Sequence, residues 1–593
     1  MKDFFKTALA TVAGLIIFSF ISLFLLISLI SSVASLSEST PVVPQSAILT
    51  IDLSKVIISE QTQERDLLSM LQGNEADIRT TGIYNMTKAI KTAAIDPCIS
   101  MIYLKPDVVM GGMAQIEELR SALEDFRASG KAIVSYMESP SNAGMYLASV
   151  SDKIYMTSYD GGISMFTGAS SQMIFIKDLL ETLGINVQLI RHGKYKSAGE
   201  MFINTSPSKE NLQQNQALVE SIWKNWIKAI ADARDINPEA LDAMVDNLEL
   251  NFPSDFLAKG LVDELVTKDE LRTKLSYLSY QTSYDNLSTI SISDYAVARE
   301  NLVMPAGASK IAVVFVEGEM IDGDGYDQVA GDRFASILAS IRKDENVKAT
   351  VLRVNSPGGS VLAAEKILSE IRLLQERMPV VASFGDYAAS GGYWISAGCN
   401  KIFSNANTLT GSIGVFSMIP DFSKTLKNKL HVNVVSVNSN QHADMYTMMR
   451  PMNNAEVKVM QNSVEQIYGK FTGLVAEGRG LSMEQVEEIA QGRVWSGSDA
   501  LNVGLVDEIG TLEDAINWTI ASISNHTDVA DISISTFPQP LTDWEILLTQ
   551  LEGSGNNILS DTPFKNIGEA FHNWTSAETG KVYARIPFEY VIK

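Results

Sequence analysis

The sequence predicts a membrane-anchored α/β protein whose body is a tandem duplication, and three observations carry that prediction. Strand-like runs alternate with helix-like ones, several short boxes recur at a nearly constant spacing, and a long apolar run opens the chain.

The alternation is clearest in the second half. IAVVFVEGE (311–319) and ATVLRVNSP (349–357) are β-branched runs ending in turn residues, the pattern of strands. Between 362 and 376, Leu362, Ile367, Ile371 and Leu374 recur at helical spacing and define one apolar side. VVASFGD (380–386) reads as a further strand. Strand–helix–strand succession argues for largely parallel sheets, whose ligand sites lie at the carboxyl ends of strands. The boxes NSPGG and AASGG both stand there.

The repeats come next. GLVDE at 260–264 returns at 504–508, a shift of 244, and ISIS at 290–293 returns at 532–535, a shift of 242. Asn186-Val187 matches Asn433-Val434, and Gly111-Gly112 matches Gly358-Gly359, both shifted by 247. Several separate matches in one register mark a duplication. The expected organisation is an anchor and linker over 1–45, a first repeat over 46–300, a second over 301–540 and an extension over 541–593. A helix is expected near Trp544 to Leu551 in that extension.

The N-terminus carries no charge from Thr7 to Ser37, and residues 8–30 are almost continuously apolar. About 20 such residues cross a bilayer, whereas the apolar core of a cleavable signal is only about 7–15 long. An uncleaved anchor is therefore expected, although Ser32-Val33-Ala34 has the form of a cleavage site. Lys2 and Lys6 hold the N-terminal side in the cytoplasm, which puts the body across the membrane.

Composition excludes other classes. The 593 residues include 47 basic and 70 acidic ones, a net charge of −23, which argues against a nucleic-acid partner. Cys98 and Cys399 have no metal-like or redox-like spacing; they read as apolar residues, and sequence does not decide whether they pair. No nucleotide-binding loop is visible.

The chemistry is drawn to YAASGGYWIS (387–396). Ser390 on so bare a backbone is either a helix N-cap or a nucleophile in a turn that other groups must approach closely. Moved by 247 positions, Ser390 falls on Ala143, and Lys196 of GKYKSAGE falls on Ala443. One copy lacks the serine and the other lacks the lysine, as one composite site would require. The five histidines (His192, His431, His442, His526 and His572) form no evident triad with it, and no G-x-S-x-G elbow exists. A lysine can replace histidine as base if burial keeps it neutral; the alternative is a solvated surface lysine.

These residues carry a resemblance. VNSPGGS (354–360), ASGGYWIS (389–396), TLTGSIGVF (408–416), YKSA (195–198) and the paired GLVDE boxes together resemble the signal peptide peptidase A family in its long, duplicated form, a group of bacterial membrane-anchored Ser–Lys serine proteases. The resemblance spans nearly all of the chain after the anchor. It implies a caseinolytic-protease/crotonase-like fold in each half, with Ser390 as nucleophile and Lys196 as general base. It implies that Ser412 orients the lysine, where a turn serine is the plainer reading. It also implies a single-pass protein of the bacterial inner membrane with a periplasmic body, a homotetramer, and apolar peptides such as cleaved signal peptides as substrates. Glycine-flanked amides of Gly359 and Gly391 are the candidate oxyanion donors, with Gly358 as the alternative to Gly359. The dyad calls for no metal and no cofactor. The segment 197–214 departs from the family pattern, so substrate preference there is less defined. Two other readings compete: a crotonase-type acyl-CoA enzyme, which would need neither the anchor nor the Ser–Lys pair, and an inactive membrane-associated scaffold, which would not retain both dyad members.

Overall fold

A computed structural model describes residues 41–62, 78–281, 287–299, 309–326, 328–524, 532–539 and 582–585, together with isolated positions 14, 17, 18 and 21. The anchor expected over 8–30 and the helix expected near 544–551 otherwise lie outside the described residues. Among the described residues no helix is long and apolar enough to cross a membrane.

Each repeat is built on a parallel sheet. In the first, the order is Glu264–Val266, Lys153–Thr157, Ala132–Met137, Ile99–Lys105, Ala47–Asp52 and Thr289–Ser291, every pair parallel. In the second, Val380–Ala389, Val347–Ser356, Ser309–Glu317 and Ile532–Phe537 form the parallel centre. Leu409–Gly411 extends it beside Ala389, and Val494–Ser496 closes the edge antiparallel. Val347–Ser356 is buried at almost every position, as a central strand covered on both faces should be, and its buried polar residues Thr350 and Arg353 are hydrogen-bonded.

The helix expected over 362–376 is Val361–Gln375, capped by Ser360, whose Oγ accepts the Ala363 amide. Ile367, Ile371 and Leu374 pack into the core, but Leu362 is 52% exposed. It sits in the first turn, beyond the strip that faces the sheet, so its assignment to the apolar side was wrong. Cys399 is buried, Cys98 is half-buried, and both are free thiols.

The two copies repeat their side-chain pins as well as their strands. Asp152 accepts the Ile133 amide as Asn400 accepts that of Val380. Asp263 accepts the Ile154 amide as Asp507 accepts that of Ile402. These acceptors hold consecutive strands of each sheet together at matching places.

A third, mixed sheet joins the halves. Its order is Val329–Ala330, Met320–Ile321, Gly358–Ser360, Tyr583–Arg585, Val415–Asp421 and Asn186–His192. The last of these belongs to the first repeat and pairs antiparallel with the second, from Asn186 opposite Asp421 to His192 opposite Val415. The halves also meet through buried charge. Arg353 reaches Glu60 at 2.6 Å and Glu118 at 2.7 Å, all fully or nearly fully buried, and Asp386 accepts the Ala114 amide at 2.8 Å. Desolvation raises Asp386 to about 7 and the neighbouring Glu117 to about 8.

Candidate active site

Ser390 follows the strand Val380–Ala389 and precedes the helix Gly391–Ser396. It stands in the N-cap position, yet its side chain makes no cap hydrogen bond. Its φ of 54° and ψ of −110° are strained for a residue with a Cβ. Its amide donates to Gly411 O, and its carbonyl accepts the Trp394 amide, so the turn is clamped at both ends. A Cβ on Gly392 would stand 2.7 Å from Ser356 O, so the first turn of the helix can pack this closely only with glycine there.

Lys196 arrives from the other repeat. It follows the cross-repeat strand Asn186–His192, and the amide of Tyr195 donates to Gln491 O. Arg191 Nη1 donates to Lys196 O at 2.7 Å and to the buried Glu200 at 3.1 Å. Glu200 also accepts from Ser208 and Asn211, which anchors the segment 197–214. A Cβ on Gly492 would come within 2.6 Å of Lys196 Cβ, and one on Gly414 within 3.2 Å of its Cδ. These two glycines make room for the lysine stem. Neither they nor Glu200 were singled out from the sequence, because only the fold sets them against Lys196.

The side chains of Ser390 and Lys196 are both 0% exposed. Lys196 Nζ lies 2.9 Å from Ser390 Oγ, 3.0 Å from Ser412 Oγ and 3.1 Å from Ser412 O. The Phe416 ring lies 6.0 Å away. Burial holds the lysine well below its ordinary pKa, because charging an amine out of contact with water is unfavourable. Ser412 O can only accept, and Ser412 Oγ has Gly492 O at 3.5 Å as an acceptor for its own proton. Both contacts therefore suit the two N–H bonds of a neutral amine, leaving its lone pair for the Ser390 hydroxyl.

The glycines expected beside the serine are close to it. Gly358 and Gly359 have φ of 96° and 151°, and a Cβ on Gly359 would stand 2.1 Å from Met320 O. A Cβ on Gly358 would stand 2.7 Å from the Gly391 amide nitrogen, so the two glycine boxes touch. The Gly358 amide already donates to Ser356 Oγ at 3.3 Å.

The matching helix of the first copy, Asn142–Ala148, starts at a shift of 249 from Gly391–Ser396 and ends at a shift of 248, and its N-cap, the place Ser390 holds in the second copy, is Ser141 rather than Ala143. Ser141 Oγ accepts the Gly144 amide, an ordinary cap that Ser390 does not make. Asn142 Oδ1 accepts the amides of Thr167 and Gly168, a purely structural task. Ala443 lies exposed in a turn of the second copy.

The sequence pattern of Peptidase family S49 matches residues 125–281 and 372–523, one stretch in each repeat. The chain is 33% identical to Protease 4 of Haemophilus influenzae over 93% of this chain and 89% of that one. It is 34% identical to Protease 4 of Salmonella typhi over 79% and 77%. It is also 31% identical to a chloroplastic serine protease SPPA of Arabidopsis thaliana over 72% and 63%. A match in both repeats, with relatives at this identity over most of its length, makes this chain a serine-type peptidase that belongs to peptidase family S49.

Proposed function

We propose that the chain is an endopeptidase that cuts apolar peptides with a Ser390–Lys196 dyad. The observation that carries the reading is the buried 2.9 Å contact between Lys196 Nζ and Ser390 Oγ. Ser390 Oγ attacks the scissile carbonyl while neutral Lys196 takes its proton and passes it to the leaving amine. Ser412 holds the amine so that its lone pair faces the serine. The amides of Gly359 and Gly391 stabilise the oxyanion; Gly359 is preferred over Gly358 because the latter's amide is engaged by Ser356. Met320 and Phe416 flank the site, a setting suited to apolar side chains.

The same proposal puts the enzyme on the outer face of the bacterial inner membrane, held by the apolar run 8–30. There it would meet segments released from the bilayer, cleaved signal peptides among them. It also includes assembly as four protomers, for which exposed Val432, Val434, Val435 and Val437 offer an apolar contact surface. A serine-directed fluorophosphonate should label the wild type and not Ser390→Ala, and the wild type should hydrolyse an unfolded apolar peptide. Equal labelling of both, or no hydrolysis by the wild type, overturns the reading.

A further inference from the structure

The turn Gln491–Gly492–Arg493 joins the helix Met483–Ile489 to the edge strand Val494–Ser496, and it grips both the lysine segment and the serine that orients the amine. On the lysine side, Gln491 O accepts the Tyr195 amide at 2.9 Å and Gln491 Oε1 accepts the Lys194 amide at 3.3 Å. On the serine side, the Gly492 amide donates to Ile413 O at 2.8 Å and Arg493 O accepts the Ser412 amide at 2.7 Å. The backbone is strained at this joint. Gln491 and Ser412 have φ of 56° and 49°, and left-handed residues that carry a Cβ persist only where their surroundings impose that conformation.

The Arg493 side chain is part of those surroundings. Its guanidinium carbon lies 4.0 Å from the centre of the Trp495 ring and 5.5 Å from that of Tyr195, both within the range of cation–π attraction. Trp495 is itself fixed, since its Nε1 donates to Ile489 O at 2.9 Å. Tyr195 immediately precedes Lys196 in the chain. Arg493 thus holds Ser412 through its main chain and the neighbour of Lys196 through its side chain, across the joint between the repeats. Among the described residues its guanidinium makes no hydrogen bond or ion pair. The carboxylates of this region are engaged elsewhere: Glu200 by Arg191, Ser208 and Asn211, and Glu487 by Tyr468 and Gln491. Lys194 Nζ lies 5.3 Å from the Tyr195 ring, so that ring takes two cations.

We propose that Arg493 is a positioning residue for the dyad: by clasping Tyr195 and Trp495 it keeps Lys196 Nζ against Ser412 and away from water. The inference rests on the Ser390–Lys196 reading and adds to it a residue that acts through Tyr195 and Ser412. Arginine suits the place because a planar guanidinium lies on aromatic faces, whereas an ammonium is a strongly hydrated point charge. A loosened clasp lets the lysine stem draw away from Gly492 and admits water to the amine. Solvation then favours the charged amine, and less of the base is neutral and aimed at Ser390.

The test is Arg493→Met, which keeps an apolar stem and removes the cation, compared with full-length wild type on an unfolded apolar peptide. It should lower kcat by roughly 5- to 30-fold, the worth of two cation–π contacts, with KM little changed. The midpoint of its rate–pH profile should move upward, toward that of an ordinary lysine. Tyr195→Leu should act in the same direction on both readings, and it carries the test alone if Arg493→Met does not fold. The double variant should be little worse than the more affected single one, because residues that act as a unit are not additive. An unchanged kcat, a fall in kcat with the midpoint unmoved, or additive losses in the double variant overturns this inference; the proposed function stands so long as hydrolysis still needs Lys196. Hydrolysis that survives in Lys196→Ala overturns both.

Discussion

Lys196 Nζ and Ser390 Oγ stand 2.9 Å apart although 194 positions separate the residues in sequence. One comes from each repeat, and the cross-repeat strand pair 186–192 with 415–421 is what brings them together.

The first expected outcome concerns rate and pH. Lys196→Ala should lower kcat/KM by roughly 10²- to 10⁴-fold, the usual contribution of a positioned base. In wild type, activity needs the neutral amine, so it should rise with pH through the depressed pKa of Lys196. That rise should be complete well below about 10.4, where an ordinary lysine titrates. A rate profile from pH 6 to 11 checks it.

The same lysine leaves a mark on stability. Its folded pKa is lowered, so between that value and the unfolded one the unfolded chain binds the extra proton. Stability then rises with pH across that window. Lys196→Met lacks this linkage. Its Tm relative to wild type should be most favourable near neutral pH and should lose ground as pH approaches 10, as measured by thermal unfolding at several pH values.

Ser412→Ala tests the orientation of the amine. The carbonyl contact at 3.1 Å survives and the hydroxyl contact at 3.0 Å is lost. One hydrogen bond is worth about 1 kcal/mol, so kcat should fall by about 5- to 10-fold with KM little changed. Steady-state kinetics on an apolar peptide separates the two constants.

Arg353→Met tests the buried charge between the halves. It removes the only cation shown in contact with the buried carboxylates of Glu60 and Glu118 among the described residues. Breaking such a pair costs about 3–5 kcal/mol. Denaturant unfolding should show a loss of that order, and Arg353→Met with Glu60→Gln and Glu118→Gln should recover part of it.

The sequence by itself determined the α/β alternation, the duplication, and the serine, lysine and glycine boxes of the site, because strand periodicity, turn glycines and repeated words are local properties of a chain. Comparison of the two copies pointed to Ser390 and Lys196, whose side chains stand 2.9 Å apart. What only the tertiary structure decided depends on contacts between distant segments. The lowered pKa of Lys196 comes from burial beside Ser412, Phe416 and Gly492, which no local pattern encodes. Ser141 rather than Ala143 holds the N-cap place of Ser390 in the first copy because the offset between the copies changes from strand to helix. Leu362 turns to solvent because the sheet contacts a narrower strip of its helix than spacing alone implies. Tyr583–Arg585 reads as an unremarkable short run in sequence; it becomes a strand only because two edges, at Gly358–Ser360 and Val415–Asp421, leave it a slot whose backbone groups need partners.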